Sequence, residues 1–96
     1  MMKQMQKMQK EMGQAQEELE EKVFTGVAND DLVKISMNGK REVQSVDIKD
    51  DVAETGDSEL LEDLTLLALN DVLGQIEKET EDVMGQYTNN LNIPGM

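Results

Sequence analysis

Cysteine, histidine and tryptophan are missing from this 96-residue chain, and phenylalanine, tyrosine and proline occur once each. Without cysteine there is no disulfide framework and no thiol nucleophile. Without histidine the usual zinc sites and the Ser-His-Asp triad are excluded. No apolar run approaches the ~18 residues that a membrane span needs, and there is no h-region of a secretory signal. The expectation is a soluble, cytoplasmic protein with no membrane partner. Bulky apolar residues are also few: Leu, Ile, Val and Phe fill 23 of the 96 positions. That is just above the roughly 20% below which a highly charged chain stays disordered. A chain this short buries only ~60–65% of its unfolded surface, so a monomer would be marginal. An oligomer, most simply a homodimer, is expected to complete the burial.

Positive charge is scarce too. Nine basic residues against 21 acidic ones give a net charge of −12. The imbalance is uneven: residues 1–48 sum to −2 and residues 49–96 to −10, while residues 1–10 hold Lys3, Lys7 and Lys10 and no acid. A uniformly acidic chain repels nucleic acid; a polarised one attracts it at its basic end, weakly and with steep salt dependence.

Turning to what is present, Met1, Met5, Met8, Met12, Ala15 and Leu19 recur at alternating spacings of four and three. Such a stripe, near 3.5 residues per turn, is the pattern of a helix seam. Gln, Lys and Glu fill the gaps and favour helix. The spacing predicts a helix over residues 2–21, with Gly13 as its weak point at a cost of about 1 kcal/mol relative to Ala. Lys3, Lys7 and Lys10 keep the same spacing two residues out of phase, which is ~200° of rotation. They therefore line the face opposite the methionines. Farther along, that face reads Gln14, Glu17, Glu21 and changes sign.

Residues 22–49 change period. Val33, Ile35 and Met37 alternate with Lys34, Ser36 and Asn38, and Val46 and Ile48 alternate with Ser45, Asp47 and Lys49. Alternation of this kind predicts half-buried antiparallel strands. Val23 to Ala28 reads as a weaker first strand, with Gly26 as a bulge, and Asn29-Asp30-Asp31 as a turn. A tight Asn38-Gly39 turn would set Ile35 opposite Glu42 and spoil the core face. A four-residue loop over Gly39–Glu42 pairs Ile35 with Val46 and Val33 with Ile48, and leaves Lys40 and Arg41 at an exposed tip.

Asp50 to Asp57 reads as an acidic connection. Asp57 or Ser58 can cap a helix over residues 59–86, and Glu59, Glu62 and Asp63 suit its positive end. Leu60, Leu61, Leu64, Leu66, Leu67, Leu69, Val72, Leu73 and Ile76 make that helix apolar on more than one face. It needs cover from its own sheet and from a second subunit. Met5, Met8, Met12, Leu64, Leu67 and Val72 are the residues expected to form the core and dimer seam. Residues 88–96, rich in Asn and holding Pro94-Gly95, read as a flexible tail. No repeat or second domain is visible, so residues 1–96 form a single domain.

Several chemistries are set aside. Asp47, Asp50, Asp51, Glu54 and Asp57 lack the alternating acids and central Gly of a calcium loop. A pair of carboxylates can hydrolyse glycosides, but nothing here would position a substrate. The scattered glycines form no phosphate-cradling loop. Neither enzyme activity nor a cofactor is expected. No aromatic platform for stacked bases and no helix-turn-helix are present, so any contact with nucleic acid is expected to be duplex-directed and nearly sequence-independent.

Several strings resemble the YbaB/EbfC nucleoid-associated proteins. Met2 to Lys10 followed by Gln14 to Leu19 is similar to the family's opening helix. Leu32 to Gly39 with Val43 to Asp47 resembles its middle; Leu61 to Leu64 and Ala68 to Asp71 resemble its second long helix; Leu91 to Met96 resembles its tail. The likeness runs in order over essentially the whole chain. It implies an α+β fold of α-β-β-β-α order, a small antiparallel sheet with two long helices, in a tweezer-like homodimer. It also implies a bacterial protein of cytoplasm and nucleoid that binds double-stranded DNA and influences gene expression. The family's DNA contacts are attributed to its long helices, which here implicates Lys3, Lys7 and Lys10, with Lys22, Lys40, Arg41 and Lys78 as further candidates. The competing reading is an acidic interaction module, either a DNA mimic or the partner of a basic protein, warranted by the strongly anionic second half.

Overall fold

The computed structural model describes the backbone of residues 2–91 and the side chains of residues 3–86. Helix α1 runs over Met2–Glu21, and β1 (Val23–Val27), β2 (Val33–Asn38) and β3 (Val43–Ile48) follow. A short helix α2 (Asp50–Glu54) leads into the long helix α3 (Ser58–Leu91). The three strands form one antiparallel sheet in the order β1-β2-β3, so the chain has the expected α+β class and order.

Alternation decides the sheet. Val33, Ile35 and Met37 of β2 are buried while Lys34, Ser36 and Asn38 are half-exposed on the other face. Ile35 pairs with Val46 and Val33 with Ile48, the register the apolar pattern requires. The route to that register differs from a plain four-residue loop. Arg41 N–H donates to the Asn38 carbonyl and Asn38 N–H to that of Glu42, with Arg41 left-handed at φ 68°. This turn alone would align Ile35 with Ser45, since Met37 already faces Val43. An irregularity beside Ser36 and Met37 takes up the extra residue and restores the apolar pairing. The Asn38 side chain fixes the turn, its Oδ1 accepting from the Lys40 and Glu42 N–H groups at 2.9 and 3.0 Å.

Three further expectations are corrected. Gly26 is not a bulge, because β1 pairs with β2 without interruption from Val23 to Val27. It is instead where α3 crosses the sheet: a Cβ there would lie 2.3 Å from the Ala68 carbonyl oxygen and 2.5 Å from Val72 N. The acidic connection is not bare loop, because Val52 is buried and anchors α2. The second long helix begins one residue earlier and ends later than residues 59–86, since α3 continues to Leu91. Positions 88–91 of the expected tail are therefore helical, and residues 92–96 lie outside the described residues. Asp57 caps α3, its Oδ1 accepting from Leu60 N–H at 3.1 Å.

Leu64, Ala68, Val72 and Ile76, one every fourth residue of α3, press against Phe24, Val33, Ile35 and Met37 to make the core. Leu19 joins from α1. No polar side chain is buried among the described residues. Helix α1 runs back antiparallel along the far part of α3. Ala15 and Leu19 share a cleft with Val83, and Lys22 reaches Glu79. Beyond that junction the two helices form an arm that leaves the sheet behind.

Candidate nucleic-acid interface

Lys3, Lys7 and Lys10 are exposed on the outer half of α1, as are Gln14, Glu17, Glu18 and Glu21 farther down. Successive residues of a helix turn by ~100°, so the three ammonium groups fall within about 60° of one another. Their rise from Lys3 to Lys10 is about 10 Å. Among the described residues no carboxylate comes within ion-pairing distance of any of the three, and Lys22–Glu79 is the ion pair formed. Three cations on one rigid face can follow a phosphate backbone, because each neutralises one phosphate and releases its counterions.

The other cationic candidates are placed differently. Lys22 is engaged by Glu79 and its Nζ lies 5.4 Å from the centre of the Phe24 ring. Its charge is therefore compensated locally, and it joins α1 to α3. Lys40 and Arg41 are exposed at the β2–β3 tip, beside a groove of about 410 Å³ shared with Gln16, Leu19, Glu20, Thr80 and Met84. That tip backs directly onto α1: a Cβ on Gly39 would sit 1.9 Å from the Leu19 carbonyl oxygen. The structure thus sets Lys40 and Arg41 against the base of the arm, apart from the Lys3–Lys10 face. Lys78 is exposed on α3 among Glu77, Glu81 and Asp82.

The apolar seam divides. Leu64 and Val72 are buried within the chain's own core, at 2% and 0% exposure, whereas Leu67 is 48% and Met5 65% exposed. Met8 and Met12 are half-buried. Val43 and Val46 belong to the core-facing side of the sheet, through their pairing with Met37 and Ile35, yet both are 53% exposed. Helix α3 lies over β1 and β2 and leaves Val43 and Val46 of β3 uncovered, while Ile48 at the end of that strand packs against the core.

Two residues that sequence reasoning missed explain that asymmetry. Val27 N–H donates to Asp71 Oδ2 at 2.9 Å, and Gln75 Nε2 donates to the Thr25 carbonyl at 2.8 Å. Together they occupy two of the outward backbone groups of β1, Val27 N–H and the Thr25 carbonyl, so another strand could pair along that edge only by displacing them. The available signal was a polar pair four residues apart inside an otherwise apolar run. Among the described residues no group of acidic side chains is arranged to hold a metal ion, and no helix is long and apolar enough to cross a membrane.

Comparison with known proteins agrees with this architecture. The YbaB/EbfC DNA-binding family profile matches residues 1–91. A nucleoid-associated protein of Oceanobacillus iheyensis is 51% identical over 96 residues, covering 100% of this chain and 92% of the relative. Another from Enterococcus faecalis is 50% identical, covering 99% of this chain and 89% of its own. The crystal structure of an uncharacterized Helicobacter pylori protein superposes with a TM-score of 0.74 at 25% identity, over 88% of each chain. With the family profile spanning residues 1–91 and nearly full-length similarity to these relatives, the chain belongs to the YbaB/EbfC DNA-binding family.

Proposed function

We propose that this protein binds double-stranded DNA with little sequence specificity, as a nucleoid-associated homodimer that influences gene expression and catalyses no reaction. The observation that carries the reading is the exposed, unneutralised face of Lys3, Lys7 and Lys10 on a helix of a DNA-binding family. A homodimer presents that face twice. Six phosphate contacts imply a roughly thousandfold loss of affinity between 50 and 200 mM salt.

The dimer is supported by the uncovered strip of β3. With two outward groups of β1 engaged by Asp71 and Gln75, β3 is the more available edge, and its Val43 and Val46 give a second copy an apolar face to cover. Reversing all three lysines to Glu is expected to abolish a gel shift on random duplex while leaving the dimer intact. Unchanged binding would refute the lysine face. The variant Val46→Asp is expected to run as a monomer in sedimentation, because an uncompensated carboxylate would be buried at the interface. A wild-type protein that shifts no duplex even at low salt, yet captures a basic protein, would favour the acidic-module reading instead.

A further inference from the structure

We infer that duplex DNA crosses the arm at its lysine-bearing end instead of lying along it, because an acidic belt at the base of the arm excludes it. The inference rests on the DNA-binding reading above and adds to it where on the arm the duplex sits. On α1 the residues Lys3, Lys7, Lys10, Gln14, Glu17, Glu18 and Glu21 share one exposed sector about 100° wide. Read outward to inward, that single face is cationic for about 10 Å, neutral for a turn, then anionic.

Helix α3 deepens the change of sign at the same height. The Lys22–Glu79 ion pair and the cleft shared by Ala15 and Val83 set Glu77, Glu81 and Asp82 beside the inner half of α1. All three acids are exposed. Lys22 is already engaged by Glu79, which leaves Lys78 as the opposing cation on that stretch of α3.

The distances decide how these charges act. Lys10 and Glu17 are about 10 Å apart along the axis, more than the ~8 Å Debye length at physiological ionic strength. The lysine end therefore attracts phosphate without being cancelled by the belt. A duplex laid along the arm would bring one phosphate charge per ~1.7 Å of its length against the belt carboxylates. A duplex crossing at the outer end meets three lysines and one exposed acid, Glu11, which lies about 20° outside the shared sector.

The lack of cysteine makes the test direct. The single-cysteine variants Gln6→Cys, at the edge of the lysine face, and Glu21→Cys, each carrying a photocrosslinker, report on the outer and inner parts of the arm. Crosslinking to random duplex is expected from position 6 and not from position 21. Adding Glu17→Gln and Glu18→Gln to the position-21 probe is expected to let the inner crosslink appear. The same neutralisation in the unlabelled protein, with Glu21→Gln, is expected to raise affinity about threefold at 50 mM salt, the gain shrinking as salt screens the belt. Equal crosslinking from both positions, or an affinity untouched by neutralisation, overturns the inference while leaving DNA binding standing. No duplex shift from the wild-type protein overturns the DNA reading and this inference with it.

Discussion

Along α3 every fourth residue from Leu64 to Ile76 is buried, whereas along the described part of α1 Leu19 alone is. The two helices are similarly regular, yet different constraints choose their residues. At the base, shape governs: Val33, Val72 and Ile76 are fully enclosed and α3 lies so close to Gly26 that no side chain fits between them. On the arm, charge governs: the outer face offers cations to solvent and the inner face offers carboxylates. A base fixed by packing can hold an arm whose surface is free to carry a charge pattern.

Substitutions that respect or cross this division sharpen it. The largest effect is expected from Ile76→Ala, which empties a fully buried site and costs about 3–4 kcal/mol. Urea denaturation at fixed protein concentration measures it, concentration mattering because a dimer's stability depends on it. Next comes Gly26→Ala. Its Cβ would meet the α3 backbone and push the helix off the sheet, for a loss of about 2 kcal/mol. Smallest is Gly13→Ala, with open space around the added methyl, which is expected to favour the α1 helix by about 1 kcal/mol. Amide exchange should slow in the outer half of α1 and stay unchanged in β2. A Gly13→Ala effect on global unfolding as large as that of Ile76→Ala would show that arm and base are one packing unit, and the comparison would fail.

Much of the fold was legible in local pattern. The Met1–Leu19 spacing placed α1, and the alternation through Val33–Met37 and Val46–Ile48 placed β2, β3 and their pairing. The same pattern could not show that an irregularity beside Met37 delivers that pairing, since the tip needed Arg41 in a left-handed conformation to close around Asn38. For the candidate site, spacing alone aligned Lys3, Lys7 and Lys10. It could not separate them from Lys22, whose partner Glu79 lies 57 residues away. Nor could it separate Leu64 from Leu67, both apolar positions on a helix that is apolar nearly all round.

By itself the sequence determined the α-β-β-β-α order without α2, the pairing of Val33 with Ile48 and Ile35 with Val46, and the sign change along α1. These depend on side-chain periods of two and 3.6 residues, which act between near neighbours. Tertiary structure alone decided that Gly26 marks a helix crossing, that Asp71 and Gln75 engage one sheet edge, and that Val43 and Val46 stay uncovered. Each of those facts depends on where α3 comes to rest across strands far away in the chain. A position's own neighbours carry no information about which distant surface will reach it.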